Sequence, residues 1–145
     1  MTRLNLRVVG VPAPQGSKKH VGRGIMVEAS KKVAPWREAV AAAGQREMEV
    51  RGLASPLDGP LHLAVTFRLP MPKSRPKRDH VRGWKWSTKT PDLDKLLRST
   101  CDALKMGGVI ADDARICQIS AEKIEAGSWT GMELTIEEVS GTEDW

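Results

Sequence analysis

Apolar and polar residues alternate most cleanly over 61–69, LHLAVTFRL. Leu61, Leu63, Val65, Phe67 and Leu69 fall on one face, and His62, Ala64, Thr66 and Arg68 on the other. This predicts a half-buried strand, ended by Pro70 and Pro72. LNLRVVG (4–10) alternates likewise and predicts a first strand, stopped by Pro12 and Pro14. Ser30 is a candidate cap for a helix through roughly 31–50, where Pro35 fits only near the first turn. A second helix is predicted over 92–106. Leu93, Leu96, Leu97, Thr100, Cys101 and Leu104 share one face, while Lys95, Arg98, Ser99, Asp102 and Lys105 lie opposite. Asp92 suits its N-cap, and Gly107 with Gly108 ends it. Two strands follow at about 115–125 and 131–139, with Met132, Leu134 and Ile136 alternating with Glu133, Thr135 and Glu137.

The order β, α, β, α, β, β predicts an α+β fold: a small mixed sheet with helices mainly on one face. With 145 residues, the chain suits a single domain over 1–145 with a modest core. Residues 16–24, GSKKHVGRG, and 51–60 are expected to be loops. Residues 71–91 are expected to form a long basic loop, of a length that in compact domains is usually functional or disordered. An acidic tail closes the chain at about 140–145.

Charge sharpens this picture. The formal net charge is +5, but its distribution is uneven. Residues 68–98 carry ten Lys/Arg against three acids, and residues 101–145 carry three against ten. A cationic middle segment of this kind points to a nucleic-acid partner. The two cysteines, Cys101 and Cys117, form no C-x-x-C pattern and are expected to pack in the core as reduced thiols. The N-terminus shows no apolar signal region, and no apolar run approaches the ~18 residues of a membrane span. A cytoplasmic chain is expected.

The chemistry-bearing stretch is PDLDK (91–95). With Asp92 at or before the cap and Asp94 in the first turn, two carboxylates can converge in front of the helix. Asp112 and Asp113 lie past the glycine turn, from which the chain folds back. Clustered carboxylates repel one another, and a hard divalent cation, Mg²⁺ or Mn²⁺, relieves that repulsion. Such a site suits phosphodiester hydrolysis, with the basic loop holding the phosphate backbone. Arg98, one turn past Asp94, can order the acids or stabilise developing charge. The structural alternatives stand beside this. Asp92 serves as an N-cap, Asp94 with Arg98 forms an exposed helix pair, Asp112-Asp113 makes a plain turn, and Asp102 is a solvated face residue.

The run Asp92-Leu93-Asp94, Arg98, Asp102-Ala103-Leu104, Gly107-Gly108, Asp112-Asp113 resembles the RusA family of Holliday junction resolvases, common in prophages. The likeness is strongest over 92–125. It implies a homodimeric, Mg²⁺-dependent endonuclease that cuts four-way DNA junctions by paired nicks. By position, Asp92, Asp94 and Asp113 resemble the metal-binding catalytic acids, and Asp112 a supporting acid. Arg98 stands where the family has a catalytically important lysine. Lys95 stands where its founding pattern has asparagine. Arginine keeps the charge but not the tunable pKa, so only an electrostatic role carries over.

Lys18, Lys19, Arg75, Lys77, Arg78, Arg82, Lys85, Lys89 and Lys95 are the candidate DNA contacts. Trp84 and Trp86 are either stacking platforms for an unstacked base or core and dimer packing. Two rival functions remain: a branched-DNA or flap nuclease of broader preference, and a non-catalytic DNA-binding module whose acids only cap and turn.

Overall fold

The computed structural model describes residues 2–15, 18–20, 26–28 and 31–139. Strand β1 (Arg3–Val9) is followed by a short hairpin, β2 (Lys18–His20) against β3 (Met26–Glu28). Then come helix α1 (Val33–Val50), strand β4 (Leu61–Pro70), helix α2 (Lys77–Arg82), strand β5 (Trp84–Trp86) and helix α3 (Leu93–Met106). A 3₁₀ turn (Asp113–Arg115) leads into β6 (Ile116–Ala126) and β7 (Gly131–Glu138). The α+β class is as expected. The correction is at 71–91, where α2 and β5 occupy nine residues of the predicted loop. The Lys77–Arg82 helix was hidden by its charge, since KRDHVR offers no apolar stripe. The 16–24 loop likewise contains β2, and the acidic tail at 140–145 lies outside the described residues.

Five strands form one sheet in the order β1-β7-β4-β6-β5, parallel only between β4 and β6. Register places the apolar positions on one face. Leu6 pairs with Leu134, Val65 with Leu134 and with Ala121, and Phe67 with Met132. α1 and α3 cover that face. Trp36 and Val40 of α1 and Leu96 and Leu104 of α3 join the sheet residues in one core. Each such fully buried apolar side chain contributes about 1.5–3 kcal/mol relative to exposure.

The helices touch closely because Gly107 has no side chain: a Cβ there would lie 2.5 Å from the Ala41 carbonyl oxygen. Lys32 takes the N-cap position of α1 without a side-chain bond; the expected cap, Ser30, lies outside the described residues. Cys101 is buried as expected, whereas Cys117 is exposed, a correction. The register of β6 slips between Leu61 and His62 of its neighbour and carries Cys117 out of the core.

At the carboxyl end of β6 the core-facing positions turn polar. Lys123 pairs with Phe67 and Glu125 with Leu69. The Lys123 ammonium donates to the carbonyls of Lys89 and Pro91, the latter at 2.8 Å, and so holds the segment entering PDLDK. Among the described residues no helix is long and apolar enough to cross a membrane.

Candidate active site

Asp94, Arg98, Asp102 and Lys105 are spaced four, four and three along α3, so they line one stripe of the helix. Asp92 occupies the N-cap position with extended backbone, but its carboxylate makes no capping bond. It lies 3.8 Å from Lys95 Nζ and stays exposed. Asp94 and Arg98 are also exposed. They form no ion pair with each other, and neither has a partner among the described residues. Of these three side chains only Asp92 has a partner among the described residues, Lys95 three residues on in the same segment.

The other end of the stripe is more enclosed. Asp112 accepts from the Ala114 backbone N–H at 3.2 Å and from Lys105 Nζ at 2.8 Å. The lysine hydrogen bond is the main reason its pKa lies below the ordinary carboxylate value. Asp113 is displaced the other way. Burial raises its pKa most, followed by a hydrogen bond with Asp102 and repulsion from Asp102 and Asp112; Lys105 partly offsets this. Asp113 Oδ1 is buried and has no hydrogen-bond partner among the described residues. Burying such an acceptor without a partner costs about 1–3 kcal/mol, so its position needs a reason.

Gln15 completes this end. Its Nε2 donates to Asp102 Oδ2, while its own Oε1 is buried without a partner among the described residues. The segment is pinned to α3 by Ser99 Oγ donating to the Ala13 carbonyl at 2.6 Å and Gln15 N–H to the Lys95 carbonyl at 3.0 Å. Lys18 and Lys19 follow within four residues, so their backbone stays within about 14 Å of Gln15.

The donor set fits a hard divalent cation. It offers two facing carboxylates and an amide, of which one Asp113 oxygen and the Gln15 oxygen are buried without a partner among the described residues, with no soft ligand involved. The Cys101 thiol is pushed up to about 12, chiefly by burial, and is no ligand or nucleophile at neutral pH. Among the described residues no three His, Cys, Asp or Glu side chains converge closely enough to enclose an ion. Asp94 and Asp102 are eight residues apart, ~12 Å along the helix axis. The structure therefore brings Asp113 to Asp112 and Asp102, and sets Asp92 and Asp94 as a second acidic station beyond Arg98.

The candidate DNA contacts divide into two groups. Lys77, Arg78 and Lys89 are exposed, with no ion-pair partner among the described residues. Arg75 instead makes a two-pronged pair with Glu125 at 2.7 and 2.6 Å, and Arg82 and Lys85 face the buried Asp79 at 2.8 and 3.7 Å. Lys95 lies in the first turn of α3, near Asp92. Nothing of the Lys18 and Lys19 side chains is described, and Arg23 lies outside the described residues.

Trp84 and Trp86 are exposed and edge-to-face at 5.2 Å, with the Arg82 guanidinium 5.4 Å from the Trp84 ring. Trp86 pairs with Ile124, on the sheet face opposite α3, so this pair is not core packing. Asp102 and Gln15 are the site residues that sequence reasoning left unassigned. Asp102 was legible as the next position on the Asp94–Arg98 stripe. Gln15 had no local signal, because only the path of the chain across α3 brings it there.

The family model described as endodeoxyribonuclease RusA matches residues 9–137, most of the chain. A crossover junction endodeoxyribonuclease RusA of Lactococcus phage r1t is 32% identical over 65 residues. That match spans 45% of this chain and 45% of the phage protein, under half the length of each.

Proposed function

The chain belongs to the RusA endodeoxyribonuclease family, and from that membership we propose that it is a metal-dependent nuclease that resolves four-way DNA junctions by paired symmetric nicks. The observation that carries this is the Asp102–Asp113 pair, two carboxylates facing each other with a buried oxygen lacking a partner among the described residues. Bringing two carboxylates together costs the unliganded fold, and a divalent cation between them would offset that cost.

Asp113, with Asp112 and Asp102 beside it, would hold Mg²⁺ or Mn²⁺, and Asp92 and Asp94 supply the second acidic station on the same stripe. A bound cation polarises a phosphate oxygen and lowers the pKa of water near it. The chain's own residues do the rest. Arg98 stands between the stations with its guanidinium uncommitted, placed to bind the phosphate and stabilise its developing charge. Lys105 holds Asp112 ionised. Lys77, Arg78, Lys89 and Lys95, with the Lys18-Lys19 hairpin beyond Gln15, supply positive charge along the DNA backbone. A two-fold homodimer matches the symmetry of a junction, which needs two like strands cut.

One observation favours a second reading. Asp92 and Asp94 do not close on Asp113 within the chain, as a DNA-binding module without catalysis would allow. Against it, Asp92 caps nothing with its side chain, and Asp94 and Arg98 do not pair, so the structural duties that reading assigns them are unfilled. Cleavage of a labelled four-way junction beside a linear duplex and a flap, with Mg²⁺ or EDTA, separates the readings. Paired nicks confined to the junction and to metal support the resolvase. Equal cutting of flaps shifts the claim to a general branched-DNA nuclease, and binding without cutting leaves the module.

A further inference from the structure

A cleft of about 500 Å³ opens immediately before PDLDK. Its floor is the carboxyl ends of the parallel strands β4 and β6, at Leu69 and Glu125. Val11, Pro14, Pro72 and Pro91 line it, the last of them one residue before Asp92. The cleft lies beyond the carboxyl ends of the one parallel pair in the sheet, and its volume is that of a small-molecule pocket.

The chemistry of the cleft is specific. Rigid apolar walls meet the Arg75–Glu125 pair, with Ser87 and Thr90 also on the lining. Glu125 is only 5% exposed and is locked by both guanidinium bonds. The pair is not saturated. A carboxylate offers about four lone-pair sites and a guanidinium five donors, and only two of each are used. The floor can therefore accept from an amino group and donate to a ring nitrogen or carbonyl beside it. Lys32 and Lys89 line the same cleft and carry positive charge.

We propose that this cleft is a nucleobase pocket, which takes one unstacked base bearing an exocyclic amino group from the strand whose phosphate lies along α3. The lysines hold the flanking phosphates, the prolines and Val11 sandwich the ring, and Glu125 accepts from the amino group, as carboxylates do from amino-bearing bases. A junction-cutting enzyme would thereby gain a preference for the base beside the nick. Thymine, which lacks the amino group, is disfavoured because Glu125 would face its carbonyl oxygen. This rests on the proposal that the substrate is DNA, but not on catalysis.

The test uses the full chain and four-way junctions carrying 2-aminopurine, itself amino-bearing, at each position flanking the cut sites, in EDTA so that nothing is cut. A several-fold fluorescence rise at one flanking position, absent from the rest, is expected. Val11→Trp, at a half-exposed wall position, should fill the cleft and remove the rise while circular dichroism stays as in wild type. With Mg²⁺ present, replacing the favoured base by thymine should slow wild-type cleavage roughly tenfold. In Glu125→Gln, whose amide can also donate, that discrimination should shrink. No fluorescence rise at any position, or a rise that survives Val11→Trp, overturns the pocket even if junctions are cut. Absence of cutting with the rise intact would sink the nuclease and keep the pocket.

Discussion

Asp102 and Asp113 face each other across the glycine turn that joins α3 to β6, although both are acids and Lys105, the cation nearest Asp113, is hydrogen-bonded to Asp112 instead. Burial and this neighbour raise the pKa of Asp113, so the ionised pair works against the fold. The sign follows directly: the folded chain binds that proton more tightly than the unfolded chain, and ionisation at neutral pH costs stability. Asp113→Asn should therefore raise the melting temperature of the metal-free protein, by about 1 kcal/mol of stability, while abolishing cleavage. Thermal unfolding in EDTA checks this. A melting temperature that falls would show the carboxylate to be structural.

The Arg75–Glu125 pair behaves oppositely. The arginine hydrogen bond holds the Glu125 pKa below its ordinary 4.5. Its contribution is present above that value and is lost as pH falls through the depressed one. Glu125→Ala leaves Arg75 partly buried without its anion and should cost about 3 kcal/mol at neutral pH. Glu125→Gln should flatten the fall in stability below pH 4.5. Urea unfolding across pH 3–7, on the order of these limits, reads both effects.

The exposed arm of the basic surface is α2. Removing charge from Lys77 and Arg78 together should weaken junction binding and reduce the log–log salt slope by about 1.8. Fluorescence anisotropy over a range of salt measures it. An unchanged slope removes α2 from the DNA path. The same change at Arg82, which pairs with buried Asp79, should instead lower stability.

Gly107 fixes the approach of α3 to α1. Gly107→Ala forces a methyl within 2.5 Å of the Ala41 carbonyl and should destabilise by about 1–3 kcal/mol. Because the turn also sets Asp113 against Asp102, cleavage should fall further than stability alone explains. A variant as stable and active as wild type would show that this contact does not hold the site.

The parts of the fold with a strong period were legible in the sequence. β4 and α3 fell within a residue or so of their predicted limits because one face of each is buried by the other layer. α2 was not legible, since six charged or polar-rich residues held by a buried Asp79 and capped by Gly83 at φ 88° show no amphipathic stripe. At the candidate site, Asp92, Asp94, Asp112 and Asp113, with Arg98 one turn past Asp94, stood out by their spacing, and the family resemblance singled out Asp113. That spacing could not show that Asp102 would be the partner of Asp113, nor that the Asp92 side chain would leave its cap unmade. Gln15, Lys123 and Glu125 were silent for a common reason: each acts through a contact more than thirty residues away in sequence.

The measurement that bears most directly on the central claim compares wild type with Asp102→Asn and Asp113→Asn on one labelled four-way junction, scoring binding and cleavage in the same Mg²⁺ titration. The account predicts that wild type makes paired symmetric nicks, that both variants bind at least as tightly, and that neither cuts at any metal concentration reached by wild type. Wild-type cutting that persists in both variants, or in EDTA, would contradict it.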